Sequence, residues 1–277
     1  MPLNHWIRFV TLLAASLLAT AAAGQTAPAP STPQKSVQQI VSEDPGVKKA
    51  RMLLDQMIRA LGGQAYLNLQ DMEQQGRSYG FYHGNPSGQG APFWRFWKWP
   101  DKDRYELTKQ RDVIIIYNGD QGWEVTFKGT RAEDADEMKE YLRAREYSLT
   151  NVLRVWLKQP DTAILYEGFG LTQDKQVDNV TLINGKDDSV TIAIDRLTHL
   201  PVKKSHLVRD PVSKEKDEEA EVYDNWRPEQ GLNTAHTILA MKNGEITRQR
   251  FIQTVSYNQG IPDSKFTASV TYVPKKK

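Results

Sequence analysis

The stretch FWRFWKWPDKDRYELTKQRDVIIIYNGDQGWEVTF, residues 93–127, decides the fold class. Runs of aromatic and β-branched residues alternate in it with short polar segments rich in Pro, Asp, Asn and Gly, which is typical of strands joined by turns. Connections this short join antiparallel neighbours. The stretch therefore predicts four successive strands of one antiparallel sheet, at 93–99, 104–108, 113–117 and 122–127.

The same strand pattern continues on both sides of this stretch. One strand is predicted before it, at 73–82. Seven are predicted after it, at 163–171, 175–183, 190–194, 202–208, 218–223, 234–241 and 247–255.

Two segments have helical spacing instead of strand alternation. Apolar residues recur on one face from 46 to 61, where Asp44 and Pro45 supply the start and Gly62-Gly63 the end. A second helical segment is predicted at 131–158, with Thr130 and Glu133 as a capping box and a break near Ser148. Separate blocks of strand and helix predict an α+β fold. We expect an open, strongly curved antiparallel sheet, a half-barrel of about ten to twelve strands, with helices covering its concave face.

The N-terminus has the pattern of an export signal. Residues 9–23, FVTLLAASLLATAAA, carry no charge and match the apolar region of a signal peptide, with cleavage expected near Ala23 or Gly24. An uncleaved N-terminal anchor is the alternative. The predicted organisation is a signal peptide at 1–24, a Pro-rich linker at 25–45 and a single β-rich domain at 46–277. Such a protein would reside in the periplasm.

Composition excludes several kinds of chemistry. Removal of residues 1–24 takes away Arg8 and no acidic residue, which lowers the net charge from +2 to +1, so we expect no nucleic-acid partner. The chain has no cysteine, which excludes disulfides, thiolate metal sites and a Cys nucleophile. The sequence contains no GxSxG, P-loop or HExxH pattern. We therefore expect no catalytic residue, no metal, no cofactor and no enzyme activity. Four histidines follow the predicted signal peptide and lack metal-ligand spacing: His83, His199, His206 and His236.

Four hairpin-like motifs occur in a fixed order along the chain. They are YNGDQGW at 117–123, IDRLTHLP at 194–201, YDNW followed by GLN within 223–233, and VSYN followed by IPDSKF within 255–266. Together they resemble the periplasmic lipoprotein-carrier superfamily, whose members have the LolA/LolB-like fold. The third motif lacks the proline that is usual in that family. The resemblance spans about residues 47–266.

The resemblance implies an open curved sheet whose apolar hollow is covered by helices and holds acyl chains or whole lipids. Its implied partners are a lipid or an acylated protein, together with membrane components of the cell envelope. It also implies a gating arginine, for which Arg77 and Arg95 are the candidates. The candidate ligand contacts are large apolar residues of the early strands and the second helical segment, namely Trp94, Phe96, Ile114, Ile116, Trp123, Phe127, Leu149, Val152, Leu153 and Trp156.

Two other interpretations of the sequence remain open. Aromatic residues on both faces of the strand at 93–99 could form a glycan-binding surface, because Trp rings also stack on sugars. An enzyme whose site has no recognisable motif is the third interpretation. Ordinary core packing accounts for the same aromatic residues without any ligand.

Overall fold

The computed structural model describes residues 44–209 and 214–274. The described residues contain four α-helices: α1 (Pro45–Leu61), α2 (Gln64–Leu67), α3 (Ala135–Glu146) and α4 (Leu149–Arg154). Short 3-10 turns follow at Trp156–Lys158 and Asp263–Phe266. The predicted signal peptide and residues 25–43 of the predicted linker lie outside the described residues. None of the described helices is long and apolar enough to cross a membrane.

Fourteen strands of the described residues form one open antiparallel sheet, in the order β7-β6-β5-β4-β3-β1-β14-β13-β12-β11-β10-β9-β8, with β2 paired to β1. The first seven are β1 (Asp71–Tyr82), β2 (Asn85–Pro86), β3 (Ala91–Lys98), β4 (Lys102–Leu107), β5 (Val113–Asn118), β6 (Gln121–Thr126) and β7 (Gly129–Ala132). The last seven are β8 (Ala163–Thr172), β9 (Lys175–Ile183), β10 (Ser189–Asp195), β11 (Pro201–Arg209), β12 (Lys216–Glu229), β13 (Leu232–Lys242) and β14 (Glu245–Tyr257).

The topology explains why helices cover the sheet. Strands β7 and β8 follow each other in the sequence but form opposite edges of the sheet. The segment between them, residues 133–162, must therefore cross a whole face of the sheet, and it carries α3 and α4. We call the face that these helices cover the inner face, and the opposite one the outer face.

Helix α1 forms because its ends are capped and its apolar residues share one side. The Asp44 carboxylate accepts hydrogen bonds from the backbone N–H groups of Gly46 (2.7 Å) and Val47 (3.2 Å), and Gly62 ends the helix at a φ of 129°. Seven residues of α1 are buried, and the helix packs on β8, β9 and β13. Six of them, all except Val47, form the main core on the inner face together with Leu149, Val152, Leu153 and Trp156.

A second core lies on the outer face, under the C-terminal segment, residues 258–274. Ile261 and Phe266 of this segment pack against Phe96 of β3 and Ile116 of β5. The Asp71 carboxylate is buried and accepts hydrogen bonds from the backbone N–H groups of residues 259, 260 and 261, at 2.7–3.2 Å. These bonds direct the chain from the end of β14 across the outer face.

The structure confirms the antiparallel sheet and its open form, and it corrects two details. Within residues 44–209 and 214–274 the sheet has fourteen strands and not ten to twelve, because the sequence pattern does not predict the short β2 and β7. The predicted capping box of Thr130 and Glu133 is wrong. Thr130 lies in β7, which pairs with β6, and its backbone N–H donates to Thr271 Oγ1 at 2.7 Å. The helix begins later, capped by Asp134, whose carboxylate accepts from the Asp136 N–H at 3.0 Å.

Candidate functional site

A cavity of about 280 Å³ lies between the inner face of the sheet and the covering helices. Its floor is made by the central strands β1, β3, β4, β12, β13 and β14, and its cover by residues of α1 to α4 and their connections. The volume is near the lower end of the range for ligand pockets, ~300–1,000 Å³. The cavity therefore has room for a small ligand or for part of a larger one.

One end of the cavity is apolar. Trp97, Met72 and Tyr257 lie side by side there, since Met72 of β1 pairs with Trp97 of β3 on one side and Tyr257 of β14 on the other. Leu69, which precedes β1, packs on Tyr257, and Leu149 of α4 also lines the cavity. This end offers the kind of surface that an alkyl or acyl chain covers.

An ion pair of β3 and β4 lies next to this apolar row, because Asp103 of β4 pairs with Trp97 of β3 in the sheet. The guanidinium of Arg95 donates to both carboxylate oxygens of Asp103, from Nε at 3.0 Å and from Nη2 at 2.7 Å. Asp103 is only 2% exposed, so this bidentate pair is shielded from solvent. Tyr105 lies beside Arg95 in the sheet, and burial raises the pKa of its hydroxyl.

The other end of the cavity is charged, and the group there is centred on Glu221 of β12, which pairs with Ala240 of β13 and through it neighbours Arg248 of β14. Its carboxylate accepts a hydrogen bond from the Tyr223 hydroxyl at 2.8 Å and lies 3.2 Å from Lys204 Nζ and 3.5 Å from Arg250 Nη2. Burial alone would raise the pKa of Glu221, but Lys204 and Arg250 outweigh it and lower the pKa to about 2. The carboxylate is therefore ionised in the folded protein at neutral pH.

This depressed pKa predicts acid sensitivity. In the unfolded chain Glu221 has an ordinary pKa near 4.5, so its stabilising effect is complete above that pH and is lost as pH falls toward about 2. Between pH 6 and pH 3, we expect Glu221 to account for a loss on the order of 2 kcal/mol in the free energy of unfolding.

Urea denaturation at both pH values tests this prediction in the wild-type protein and in Glu221→Gln. The variant should lose less stability on acidification. It should keep the loss due to Glu219, whose pKa is also lowered to about 2 by His206, with Nε2 3.5 Å from its carboxylate, and by Arg143. An identical pH dependence of the two proteins would show that Glu221 is not the group that titrates.

The structure divides the ten predicted ligand contacts into three places. Leu149, Val152, Leu153 and Trp156 belong to the inner core, and only Leu149 of the ten lines the cavity. Phe127 is 89% exposed at the β6–β7 turn. The other five, Trp94, Phe96, Ile114, Ile116 and Trp123, lie together on the outer face against the C-terminal segment. Ligand binding by these residues stays a prediction.

The two candidates for a gating arginine lie in different surroundings. Arg95 lines the cavity, paired with Asp103 as described. Arg77 donates from Nη2 to the backbone carbonyls of Gln89 (3.2 Å) and Gly90 (3.1 Å), in the connection that leads to β3. Of the two, only Arg95 is placed where a ligand in the cavity would meet it.

Sequence reasoning missed most of the cavity lining. Trp97 occupies a position of β3 that alternates with the predicted contacts Trp94 and Phe96, whereas Met72, Gln74, Arg248 and Arg250 belong to β1 and β14, strands that supply no predicted contact. The sequence does contain one signal of the cavity. Two arginines stand at alternate positions in TRQRF, residues 247–251, and so share one face of a strand at the centre of the sheet.

Two of the histidines, His206 and His236, are buried and contact neighbouring side chains or backbone. His236 is buried, with Nδ1 2.8 Å from the carbonyl of Ile252 and Nε2 3.1 Å from Glu229 Oε1. His206 stacks on Tyr147 with ring centroids 4.1 Å apart. Within residues 44–209 and 214–274, no group of three or more His, Asp or Glu residues could hold a metal ion.

Comparison with solved structures places the fold. A DUF1329 family protein from Desulfovibrio piger superimposes with a TM-score of 0.55 at 11% identity, covering 79% of this chain and 97% of that one. A domain described as an outer membrane lipoprotein-sorting protein, from Vibrio parahaemolyticus, gives 0.50 at 10% identity with the same coverage. A LolA superfamily protein from Nitrosomonas europaea gives 0.49 at 14% identity.

No protein-family model matches the chain, and no curated protein does so. At this level of identity the structural matches show the fold alone. The chain has a LolA-like fold, as the four hairpin motifs predicted.

Proposed function

We propose that this LolA-like chain is a periplasmic binder or carrier of a hydrophobic ligand, an acyl chain, a lipid or a lipoprotein of the cell envelope. The observation that carries the proposal is the cavity between the inner face and the helices, with its apolar end at Met72, Trp97 and Tyr257. The sequence supports the location through the signal peptide predicted at residues 1–24.

The construction of the cavity supports a ligand that is partly apolar. Tyr66, Leu69 and Leu149 bring apolar surface from the helical side onto the apolar end of the floor. A sheet and helices that only packed against each other would fill this space with side chains, as they do around Trp156 in the inner core. The cavity lies next to this packed region, and Leu149 belongs to both.

The tryptophans do not favour the glycan-binding interpretation. Among the described residues, each tryptophan is buried or half-buried. Trp94 and Trp123 pack in the outer core, and Trp97 faces the cavity. Exposed rings that could stack on an envelope polymer are therefore lacking in this part of the chain.

Filling the cavity should block ligand binding. Ala144 of α3 lines the cavity and leaves space that a larger side chain would occupy. We expect Ala144→Trp to weaken binding of Nile red, a neutral apolar fluorophore, by about tenfold, which corresponds to about 1.4 kcal/mol. Fluorescence titration of the purified protein measures the effect.

Ala135→Trp is the matched control. Ala135 lies in the first turn of the same helix, is exposed and does not line the cavity, so its replacement should leave the affinity unchanged. Mass spectrometry of lipid extracted from wild-type protein purified from its host gives an independent measurement. Nile red that binds equally to both variants, together with lipid-free protein, would contradict the proposal.

A further inference from the structure

The cavity changes from apolar to positively charged along the direction of the strands. In β14, Tyr257 lies at the apolar end, whereas Arg250 and Arg248 come earlier in the strand and line the opposite end. Four arginines and two carboxylates line the cavity in all: Arg95, Arg145, Arg248, Arg250, Asp103 and Glu221. The cavity lining as a whole therefore carries an excess of positive charge, and Arg250 and Arg248 contribute theirs at the end away from Tyr257.

A β-bulge in β14 creates this arrangement. In a regular strand Arg250 and Tyr257 would point to opposite faces, because side chains alternate and seven positions separate the two. The pairing with β1 changes register between Gln75 and Gly76, which pair with Thr254 and Ile252, so Gln253 is an extra residue. The bulge turns both arginines onto the inner face, a use of bulges common near binding sites.

The carboxylates nearby do not satisfy these two arginines. Both carboxylate oxygens of Asp103 accept from Arg95, and Glu221 is shared with Lys204 and Tyr223. Within the described residues the Arg250 guanidinium donates no hydrogen bond, and its nearest carboxylate oxygen is the one of Glu221 at 3.5 Å. The same part of the chain supplies neither a hydrogen bond nor an ion pair for the guanidinium of Arg248, whose backbone pairs with Gly80 and Ala240.

Water alone is a poor partner for Arg250. Its side chain is only 14% exposed, while a guanidinium carries five N–H donors. Burial lowers the pKa of Arg250, and the positive charges of Arg95 and Arg248 lower it further. A buried polar group without partners costs stability, so an anion placed here would satisfy donors that the protein leaves open.

We infer that the ligand of this cavity is an anionic amphiphile, whose carboxylate or phosphate group binds Arg250 and Arg248 while its chain lies against Trp97, Met72 and Tyr257. This inference rests on the proposed function and adds the chemical class of the ligand. Two arginines side by side, on the same strand, suit a group with several acceptor oxygens.

Isothermal titration with four probes tests the inference: dodecanoate, dodecyl phosphate, dodecanol and inorganic phosphate. We expect the wild-type protein to bind the two anionic amphiphiles at least about tenfold more tightly than dodecanol, and inorganic phosphate more weakly than either, since it lacks a chain. Dodecanoate and dodecyl phosphate together distinguish a carboxylate ligand from a phosphate one.

The Arg250→Gln and Arg248→Gln variants should each reduce the preference for the anionic amphiphiles severalfold and leave the affinity for dodecanol unchanged. Arg51→Gln is the matched control. Arg51 is exposed on α1, and its replacement removes the same charge at a site away from the cavity. Arg248 is itself exposed, so its replacement keeps the test valid if Arg250→Gln fails to fold.

The outcomes separate the two proposals. Dodecanol bound as tightly as dodecanoate, or a preference that survives both substitutions, would overturn the anionic ligand and leave the hydrophobic carrier standing. A wild-type protein that binds inorganic phosphate as tightly as dodecyl phosphate would overturn the amphiphile. Failure of all three amphiphiles to bind would contradict the proposed function itself.

Discussion

Replacement of Trp156 by alanine is expected to lower the free energy of unfolding by about 3–5 kcal/mol, the largest single effect that we predict. Trp156 is 1% exposed in the inner core, where its indole N–H donates to Glu146 Oε1 at 3.0 Å and its ring contacts Tyr147 edge-on. The variant would lose the buried ring and leave a cavity in place of it. Urea denaturation of the variant and the wild-type protein measures the difference.

Phe127→Ala is the control for this experiment, since Phe127 is another aromatic residue from the predicted set of ligand contacts. It is 89% exposed, so we expect a change within about 0.5 kcal/mol. Because Trp156 does not line the cavity, its replacement should change stability far more than Nile red affinity. A Trp156→Ala protein with wild-type stability and lost binding would show that Trp156 contacts the ligand directly.

Gly76→Ala is expected to cost on the order of 3 kcal/mol and to weaken binding of anionic amphiphiles as well. A Cβ at Gly76 would overlap with the backbone carbonyl oxygen of Phe251 and crowd the ring of Phe93. The contact with Phe251 is with backbone, which cannot rotate away, so β1 and β14 must separate at the bulge. That separation would shift Arg250 and Arg248 relative to the cavity.

Gly88→Ala is the matched substitution at a site with open space. A Cβ there meets no atom within 4 Å, and we expect a change in stability within about 0.5 kcal/mol. Urea denaturation and dodecanoate titration of both variants test the prediction. A Gly76→Ala protein with wild-type stability would show that β1 and β14 can separate at this point without cost, and the bulge would lose its role in placing the arginines.

The sequence predicted which helices and long strands form better than it predicted the short strands and the residues at which elements begin. Helix α1 was predicted from Gly46 and begins at Pro45, and the break at Ser148 is the N-cap of α4, where the Ser148 hydroxyl accepts from the Asn151 N–H. Strand β7 was missed because Gly129–Ala132 is short and has no alternation of its own. It exists because β6 and Thr271 of the C-terminal segment bind its backbone, which is information from distant parts of the chain.

The candidate site was predicted less well, because contacts with distant parts of the chain also decide which face of a strand lines the cavity. Trp94 and Phe96 were selected because they are the apolar set of a strand, but in this sheet both faces are covered. The C-terminal segment covers the apolar side, and the mixed side, with Arg95 and Trp97, faces the cavity. A bulge such as the one at Gln253 also changes which residues share a face, and local pattern does not reveal it.

The pairing of β1 with β14 has a consequence for folding kinetics. Met72 and Tyr257 are partners in that pairing although roughly 180 residues separate them, whereas the neighbouring strands on either side are joined by short turns. The two meanders can therefore form early and independently, and the seam between them can close only when almost the entire chain is present. Because both arginines and the apolar row meet at that seam, the ability to hold a ligand is the last property that the folding chain acquires.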